Sequence, residues 1–434
     1  GEHFSTSSTG ADMTKSLPPR QPSPLCKLPA WCGVDMSELA TADADGADSP
    51  FRDSPHGAKV DALRLLKSRG GNAFRMRLWN SPCAAGQCNA SRFAHANLTN
   101  VLRMARRVAE ANLSFILDLH YSDWWADPLH QAKPLAWQDL PLPVLKRTLR
   151  AYTRRTVAAF VAQGTPPAAV QVGNEITFGM LWERPGEACA RGGRLACAGD
   201  LFGSKVDLAA WRRLGALVDA GMRGVREACP RCEIAIHTSL GNRIAEFSSV
   251  GIGDWYELLL NHTTSPSFDR IGLSLYPAYL APHPSSRPAS ALENIDALAS
   301  LARRFPGKRV YIAETAYPQR GTAPPPHRFA ASPLGQYEYL RAVLSRLAQA
   351  LPEAQRGGVL WWERNESCDD ALFSPSGVAS PALLHGFVHG RLPRHHLKAA
   401  EPSSSRARQT VCGSWPPPRR GPCKLGAERS TGSH

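Results

Sequence analysis

Short, mostly apolar runs recur along the chain at 31–36, 73–79, 114–120, 169–175, 233–239, 269–276, 310–314 and 358–362, and each reads as a buried parallel strand. Between them, apolar residues fall on helical spacing at 57–69, 98–111, 143–162, 208–228, 255–260, 291–305 and 336–351, with a weaker stretch at 381–388. Successive strands are roughly 40 to 60 residues apart, which leaves room for a loop and a crossover helix. Eight alternating units predict an α/β fold, a (β/α)8 TIM barrel. The alternative is an open doubly wound sheet, but no Gly-rich phosphate fingerprint follows the first strand.

The pattern also sets the boundaries. One folded domain is expected over 29–390, preceded by a Ser/Pro-rich tail at 1–28 and followed by a basic, Pro/Ser-rich tail at 391–434. Stretches after strand C-termini are long and aromatic, as at 120–137 and 177–205, whereas the link at 68–72 before the second strand is short. Barrel enzymes build their sites from the loops after the strands, so the asymmetry points to that face.

Charge and cysteines change the picture in two ways. The net charge is +14, yet nine Lys/Arg against two Asp/Glu in 391–434 put +7 of it in the tail. The remainder forms no basic stripe interleaved with aromatics, so nucleic acid is not an expected partner. No apolar run reaches the roughly 18 residues of a membrane span. Eleven cysteines include the close pairs Cys83/Cys88, Cys189/Cys197, Cys229/Cys232 and Cys412/Cys423, and five sequons fall at Asn89, Asn97, Asn112, Asn261 and Asn365. Together they predict a disulfide-bonded glycoprotein, secreted or held in a cell wall; a monomer is the separate expectation for its assembly. For Cys229 and Cys232 the spacing also leaves a zinc site open. The chain starts at Gly1 without a Met or an apolar leader, as expected if a signal peptide has been removed.

The chemistry concentrates at two strand ends. The run 169–175 closes on Asn174 and Glu175, and 309–314 closes on Glu314. A strand core does not keep a carboxylate without a use for it. Two glutamates at the mouth of one barrel suit glycoside hydrolysis with retention, which needs the carboxyls about 5 Å apart. Arg75 and Arg77 share one face of the second strand, where a guanidinium would hold one carboxylate ionised or pair structurally with Asp35. His120 and Tyr276 end the third and sixth strands, either as site residues or as core residues with one satisfied polar tip. Trp79, Tyr121, Trp124, Trp125, Trp137, Trp182, Trp361 and Trp362 crowd the same loops and predict sugar stacking.

The runs Gly33-Val34-Asp35-Met36-Ser37, Arg75-Met76-Arg77-Leu78-Trp79-Asn80-Ser81-Pro82, Asp118-Leu119-His120-Tyr121-Ser122-Asp123-Trp124-Trp125-Ala126-Asp127-Pro128, Gln131-Ala132-Lys133-Pro134, Gly173-Asn174-Glu175, Ser274-Leu275-Tyr276-Pro277 and Glu314-Thr315-Ala316-Tyr317-Pro318 resemble those of the arabinogalactan endo-β-1,4-galactanases, glycoside hydrolase family 53. The resemblance implies a retaining two-glutamate barrel with Glu175 as acid/base and Glu314 as nucleophile. Asn174, Arg75, Arg77, His120 and Tyr276 would support them. Trp79, Asp123, Trp124, Trp125, Asp127, Trp137, Trp182, Trp361 and Trp362 would bind a polysaccharide substrate. Departures fall in outer loops: Ala278-Tyr279-Leu280 follows Tyr276-Pro277, Gln319 follows Pro318, and Glu363-Arg364-Asn365 follows Trp361-Trp362. β-1,4-Galactan is therefore the first expectation, with another galactose-rich or acidic glycan as the alternative. No cofactor or metal is expected. A structural calcium known in some bacterial members would need more than Asp369-Asp370. A carbohydrate-binding pseudoenzyme and a transglycosylase are the rival readings.

Overall fold

All eight apolar runs form parallel strands: β1 Trp31–Asp35, β2 Ala73–Leu78, β3 Ser114–Leu119, β4 Ala169–Val172, β5 Glu233–Thr238, β6 Arg270–Ser274, β7 Arg309–Thr315 and β8 Arg356–Trp362. In the computed structural model they close in sequence order, with β1 pairing β8 to complete the barrel. The structure describes residues 22–42, 49–82, 94–128, 130–182, 208–239, 251–264, 267–277, 291–321, 329–362 and 369–388. Most of both predicted tails, five of the cysteines named in close pairs together with Cys189 (Cys83, Cys88, Cys197, Cys412 and Cys423), and Asn89 and Asn365 lie outside them. No described helix is long and apolar enough to cross a membrane.

Helices α1 Ala62–Ser68, α2 Leu98–Glu110, α3 Leu142–Ala162, α4 Leu208–Ala228, α5 Ile252–Asn261, α6 Ala291–Arg304, α7 Pro333–Ala350 and α8 Pro381–His385 surround the barrel. Their starts follow local chemistry. Asp61 accepts from the backbone of Arg64 at 2.9 Å, so α1 begins at Ala62 and not at the expected 57. Asn97 caps α2 in the same way, and Val101, Met104, Ala105 and Val108 then bury one stripe on the sheet. A single helical turn at Leu39–Ala42, too short to show a period, went unpredicted. Gly224 lets α3 and α4 approach closely, since a Cβ there would sit 2.6 Å from the carbonyl oxygen of Arg150.

Two cores result. One lies between strands and helices. The other fills the lower barrel interior with Trp31, Ala73, Ile116, Ala169, Ala235, Tyr311, Ala313 and Leu360. Above this apolar floor the inward positions turn polar, with Asp35, Arg75, Asp118, Gln171, His237 and Ser274 all buried. Cys26–Cys32 staples the approach to β1, and Cys229–Cys232 closes the turn between α4 and β5. The sulfurs of Cys229 and Cys232 are bonded to each other, which removes the zinc alternative at that pair.

Candidate active site

Both strand-end carboxylates owe their positions to a break in regular strand geometry. β4 stops at Val172, short of the expected 175, because Gly173 has a φ of 82° and Glu175 one of 46°. At Gly173 a Cβ would come within 2.6 Å of Ile176 Cγ2. A glutamate in the left-handed region costs about 1 kcal/mol or more, a strain tolerated mostly at working sites. On β7, Tyr311 and Ala313 face the interior, so strict alternation would turn Glu314 outward. The pairing with β6 instead skips a residue: Leu273 sits opposite Ile312, but Ser274 sits opposite Glu314. This β-bulge turns Glu314 inward, and Thr315 faces α7, where its hydroxyl meets Tyr339 at 2.8 Å.

Arg75 is the hub beneath the mouth. Its Nη1 lies 2.7 Å from Asp35 Oδ2 and 2.9 Å from Glu314 Oε1. Its Nη2 donates to Asp118 Oδ2 at 2.9 Å and Asn174 Oδ1 at 2.8 Å, and its Nε to Gln171 Oε1 at 3.2 Å. Burial opposes its charge, yet Asp118, Glu314 and Asp35 together hold its pKa well above the ordinary arginine value. The structural pairing with Asp35 and the contact to a site carboxylate thus coexist on one side chain. Arg77 does not share this place. Its Nη2 meets His95 and Glu38, and its guanidinium stacks over Trp125 at 3.9 Å.

The two glutamates sit in unlike surroundings. Burial, and then the charge of Glu314, push the Glu175 pKa well above the usual carboxylate range. Its Oε1 shares a 2.5 Å hydrogen bond with Ser274 Oγ. Burial raises Glu314 as well, but Arg75 and the Tyr276 hydroxyl, 2.8 Å from Oε2, pull against the rise. In the pair, Glu314 ionises first and Glu175 keeps its proton longer. His120 donates from Nε2 to Asp118 at 3.0 Å, because its Nδ1 accepts the Ala126 backbone N–H at 2.9 Å. Gln131 donates to the Asn174 carbonyl at 2.7 Å and steadies the turn that carries Glu175.

The aromatic residues do not form a single rim. Trp125 and Trp362 are half-buried and edge-to-face at 6.3 Å, and Trp362 meets Tyr276 at 5.8 Å. Trp79 is fully buried behind them, 5.0 Å from the half-buried Trp124 and 5.4 Å from Trp125. Trp137 and Tyr121 instead pack on Tyr152 of α3, and Trp361 packs on Tyr339 of α7. Trp361 and Trp362 point oppositely because they are strand neighbours. Trp182 is buried in the loop after β4, with Nε1 donating to Phe178 O at 3.2 Å. Asp123 spends both oxygens on the backbone N–H groups of Ser81 and Leu135, each at 2.8 Å, and so clamps loops together. Asp127 pairs with His130 at 2.8 Å and adds a smaller upward push to Glu175. Among the described residues, no group of three or more His, Cys, Asp or Glu could hold a metal ion. Asp369 is paired with Arg320 at 2.8 Å.

The model of glycosyl hydrolase family 53 matches residues 31–382. The chain belongs to that family. As a family 53 member it is a glycoside hydrolase. An uncharacterised protein of Niallia circulans is 33% identical over 344 residues, covering 76% of this chain and 82% of its own. An arabinogalactan endo-β-1,4-galactanase of Cellvibrio japonicus is 29% identical over 350 residues, covering 77% and 80%. The solved family 53 catalytic domain of Ignisphaera aggregans superposes with a TM-score of 0.64 at 25% identity, over 84% of this chain and 98% of that one.

Within this family 53 barrel, sequence reasoning located Glu175, Glu314, Asn174, Arg75, His120 and Tyr276, and the structure brings all six together. It left Asp118, Gln171, His237 and Ser274 unassigned. The one available signal was the polar residue inside otherwise apolar strands, as in the Ala169–Val172 run containing Gln171.

Proposed function

We propose that the protein is a secreted, retaining endo-glycosidase that cuts β-1,4-galactan. The observation that carries this reading is the unequal pair of carboxylates, Glu314 held by Arg75 and Tyr276 and Glu175 buried with a raised pKa. Such a pair divides the labour of nucleophile and acid. In the first step, a Glu314 oxygen bonds to the anomeric carbon while the glycosidic C–O bond breaks and Glu175 protonates the leaving oxygen. In the second, Glu175 takes a proton from water, whose oxygen displaces Glu314 and leaves the anomeric configuration as it began. Asn174, with its Oδ1 facing Arg75 and its Nδ2 donating to Ala126 O at 2.8 Å, fixes the turn beside the acid. Trp362 and Trp125 offer apolar faces for the sugar ring.

The galactan specificity rests on the named activity of the Cellvibrio japonicus relative and on a similarly named enzyme of Humicola insolens, 26% identical over 374 residues and covering 81% of this chain and 97% of its own. Secretion rests on two disulfides among the described residues and the five sequons. The deciding experiment is product analysis on unbranched β-1,4-galactan with wild type and Glu314→Gln, following the anomeric signal by NMR. Short β-configured oligosaccharides from wild type alone support the proposal. Binding of galactan without cleavage by either protein would establish a carbohydrate-binding pseudoenzyme, longer products a transglycosylase, and neither binding nor cleavage a different glycan.

A further inference from the structure

Two buried side chains beneath the mouth, Ser274 and His237, enter no step of that mechanism. They form a chain with Glu175. Glu175 Oε1 lies 2.5 Å from Ser274 Oγ, Ser274 Oγ lies 2.9 Å from His237 Nε2, and His237 Nδ1 lies 2.8 Å from Asn174 Oδ1. Where the hydrogens sit can be worked out from the far end. Asn174 is oriented by its other contacts, since its Nδ2 donates to Ala126 O and its Oδ1 accepts from Arg75 Nη2. The atom facing His237 Nδ1 is therefore an oxygen that cannot donate, so Nδ1 carries the hydrogen. Gln171 Nε2, 3.3 Å from the same Nδ1, has better acceptors in Asp118 Oδ1 at 2.5 Å and Asn174 Oδ1 at 3.1 Å, and leaves this tautomer in place. Burial, and then Arg75, keep His237 neutral, its pKa well below the ordinary histidine value. Nε2 thus has a lone pair, and the Ser274 hydrogen is the one that reaches it. Ser274 has a single hydrogen, so toward Glu175 its oxygen accepts.

We infer that Ser274 and His237 form a one-way hydroxyl–imidazole relay that holds the proton on Glu175. All three hydrogen bonds are satisfied only when Glu175 is protonated. Once Glu175 gives its proton away, Ser274 must rotate to serve the carboxylate and His237 Nε2 loses its donor. A serine alone beside a carboxylate would do the opposite, donating to the ion and favouring it. The two are positioning residues that act through Glu175 and touch no substrate. The inference rests on Glu175 being the acid of the proposed reaction. The other charged groups facing the chain are Glu314, Asp127 and Arg75 around Glu175, and Arg75, Asp118 and His120 around His237. They remain unchanged in the variants below.

The test is a pH titration of the full chain carrying glutamate 13C-labelled at the side-chain carboxyl. The Glu175 signal is assigned by its loss in Glu175→Gln, and wild type is compared with Ser274→Ala, Ser274→Thr and His237→Asn. Asparagine at 237 keeps a donor toward Asn174 but cannot reach Ser274. The relay predicts that the Glu175 midpoint falls by about one pH unit, a tenfold loss of proton affinity, in Ser274→Ala and in His237→Asn. Ser274→Thr keeps the hydroxyl and the wild-type midpoint. A midpoint that rises in Ser274→Ala, or that stays put in both broken variants, overturns the relay. Circular dichroism checks folding, and either broken variant suffices if the other fails to fold. The NMR reading needs no turnover, so failure of galactan cleavage and failure of the relay are seen separately.

Discussion

Ser274 and Tyr276 stand two residues apart at the end of β6, and each hydroxyl meets a different carboxylate, Ser274 that of Glu175 and Tyr276 that of Glu314. One strand end therefore indexes both strand-end carboxylates. Because the Tyr276 hydroxyl stabilises the ionised form of Glu314, its removal lets that pKa climb. In Tyr276→Phe the acidic limb of the kcat/KM profile on galactan should move up by about one pH unit, the value of a hydrogen bond to a charged group. A limb that stays in place would show that Arg75 alone keeps Glu314 ionised.

The acid role proposed for Glu175 makes a separate prediction about the leaving group. Glu175→Gln should slow polysaccharide cleavage by about 10²–10⁴-fold, the usual contribution of a positioned acid. The loss on an aryl galactoside whose phenolate departs unaided should be far smaller in the first step. Burst kinetics on such a substrate measure this, and equal losses on both substrates would remove Glu175 from the role.

Glu175 also sets a sign for stability against pH. Its folded pKa is raised above the unfolded value, so its contribution is fully present below the ordinary carboxylate range and is lost as pH rises through the folded value. Glu175→Gln cannot ionise and escapes that loss. Thermal melts should show the variant overtaking wild type in Tm as pH rises from 4 toward 8, with about 1.4 kcal/mol gained for each unit of the original shift. A gap that does not widen with pH would contradict the raised value.

Arg75 answers to Asp35, Asp118 and Glu314 at once, and all four side chains are buried. Arg75→Met leaves three carboxylates without their cation. Denaturant unfolding should register about 3–5 kcal/mol lost, the cost of stripping one partner from a buried ionic cluster, along with loss of activity. A loss under about 1 kcal/mol would mean that protonation of Asp35 or Asp118 absorbs the change.

The barrel was legible because a parallel strand buried on both faces is a continuous apolar run, and eight such runs with helices between them admit few other arrangements. Glu175 and Glu314 were legible because a carboxylate closing such a run violates burial rules. Arg75 and Arg77 were placed on one face by strand alternation, but only packing reveals that one centres the barrel and the other leans on Trp125. His237 and Ser274 were hidden for a different reason. A histidine or serine within an apolar strand has an ordinary reading as a satisfied interior polar group, and Glu175, the partner of Ser274, comes from the turn after β4, 99 residues earlier. Pairing across several strands depends on register, which a single strand's pattern does not contain. Tyr121 and Trp361 share the composition of the rim, and only packing shows that they turn away to Tyr152 and Tyr339.

The bulge in β7 has a wider meaning. Counted by parity, position 314 belongs to the outward set, and the extra residue before it reverses that assignment just where the strand meets the mouth. Deleting Ala313 would set Glu314 directly after the outward-facing Ile312, so plain alternation would already turn it inward and the apolar floor would lose only one methyl. The bulge thus takes up one residue more than the neighbouring strand has, and lets two consecutive positions serve the interior, Ala313 in the floor and Glu314 at the mouth.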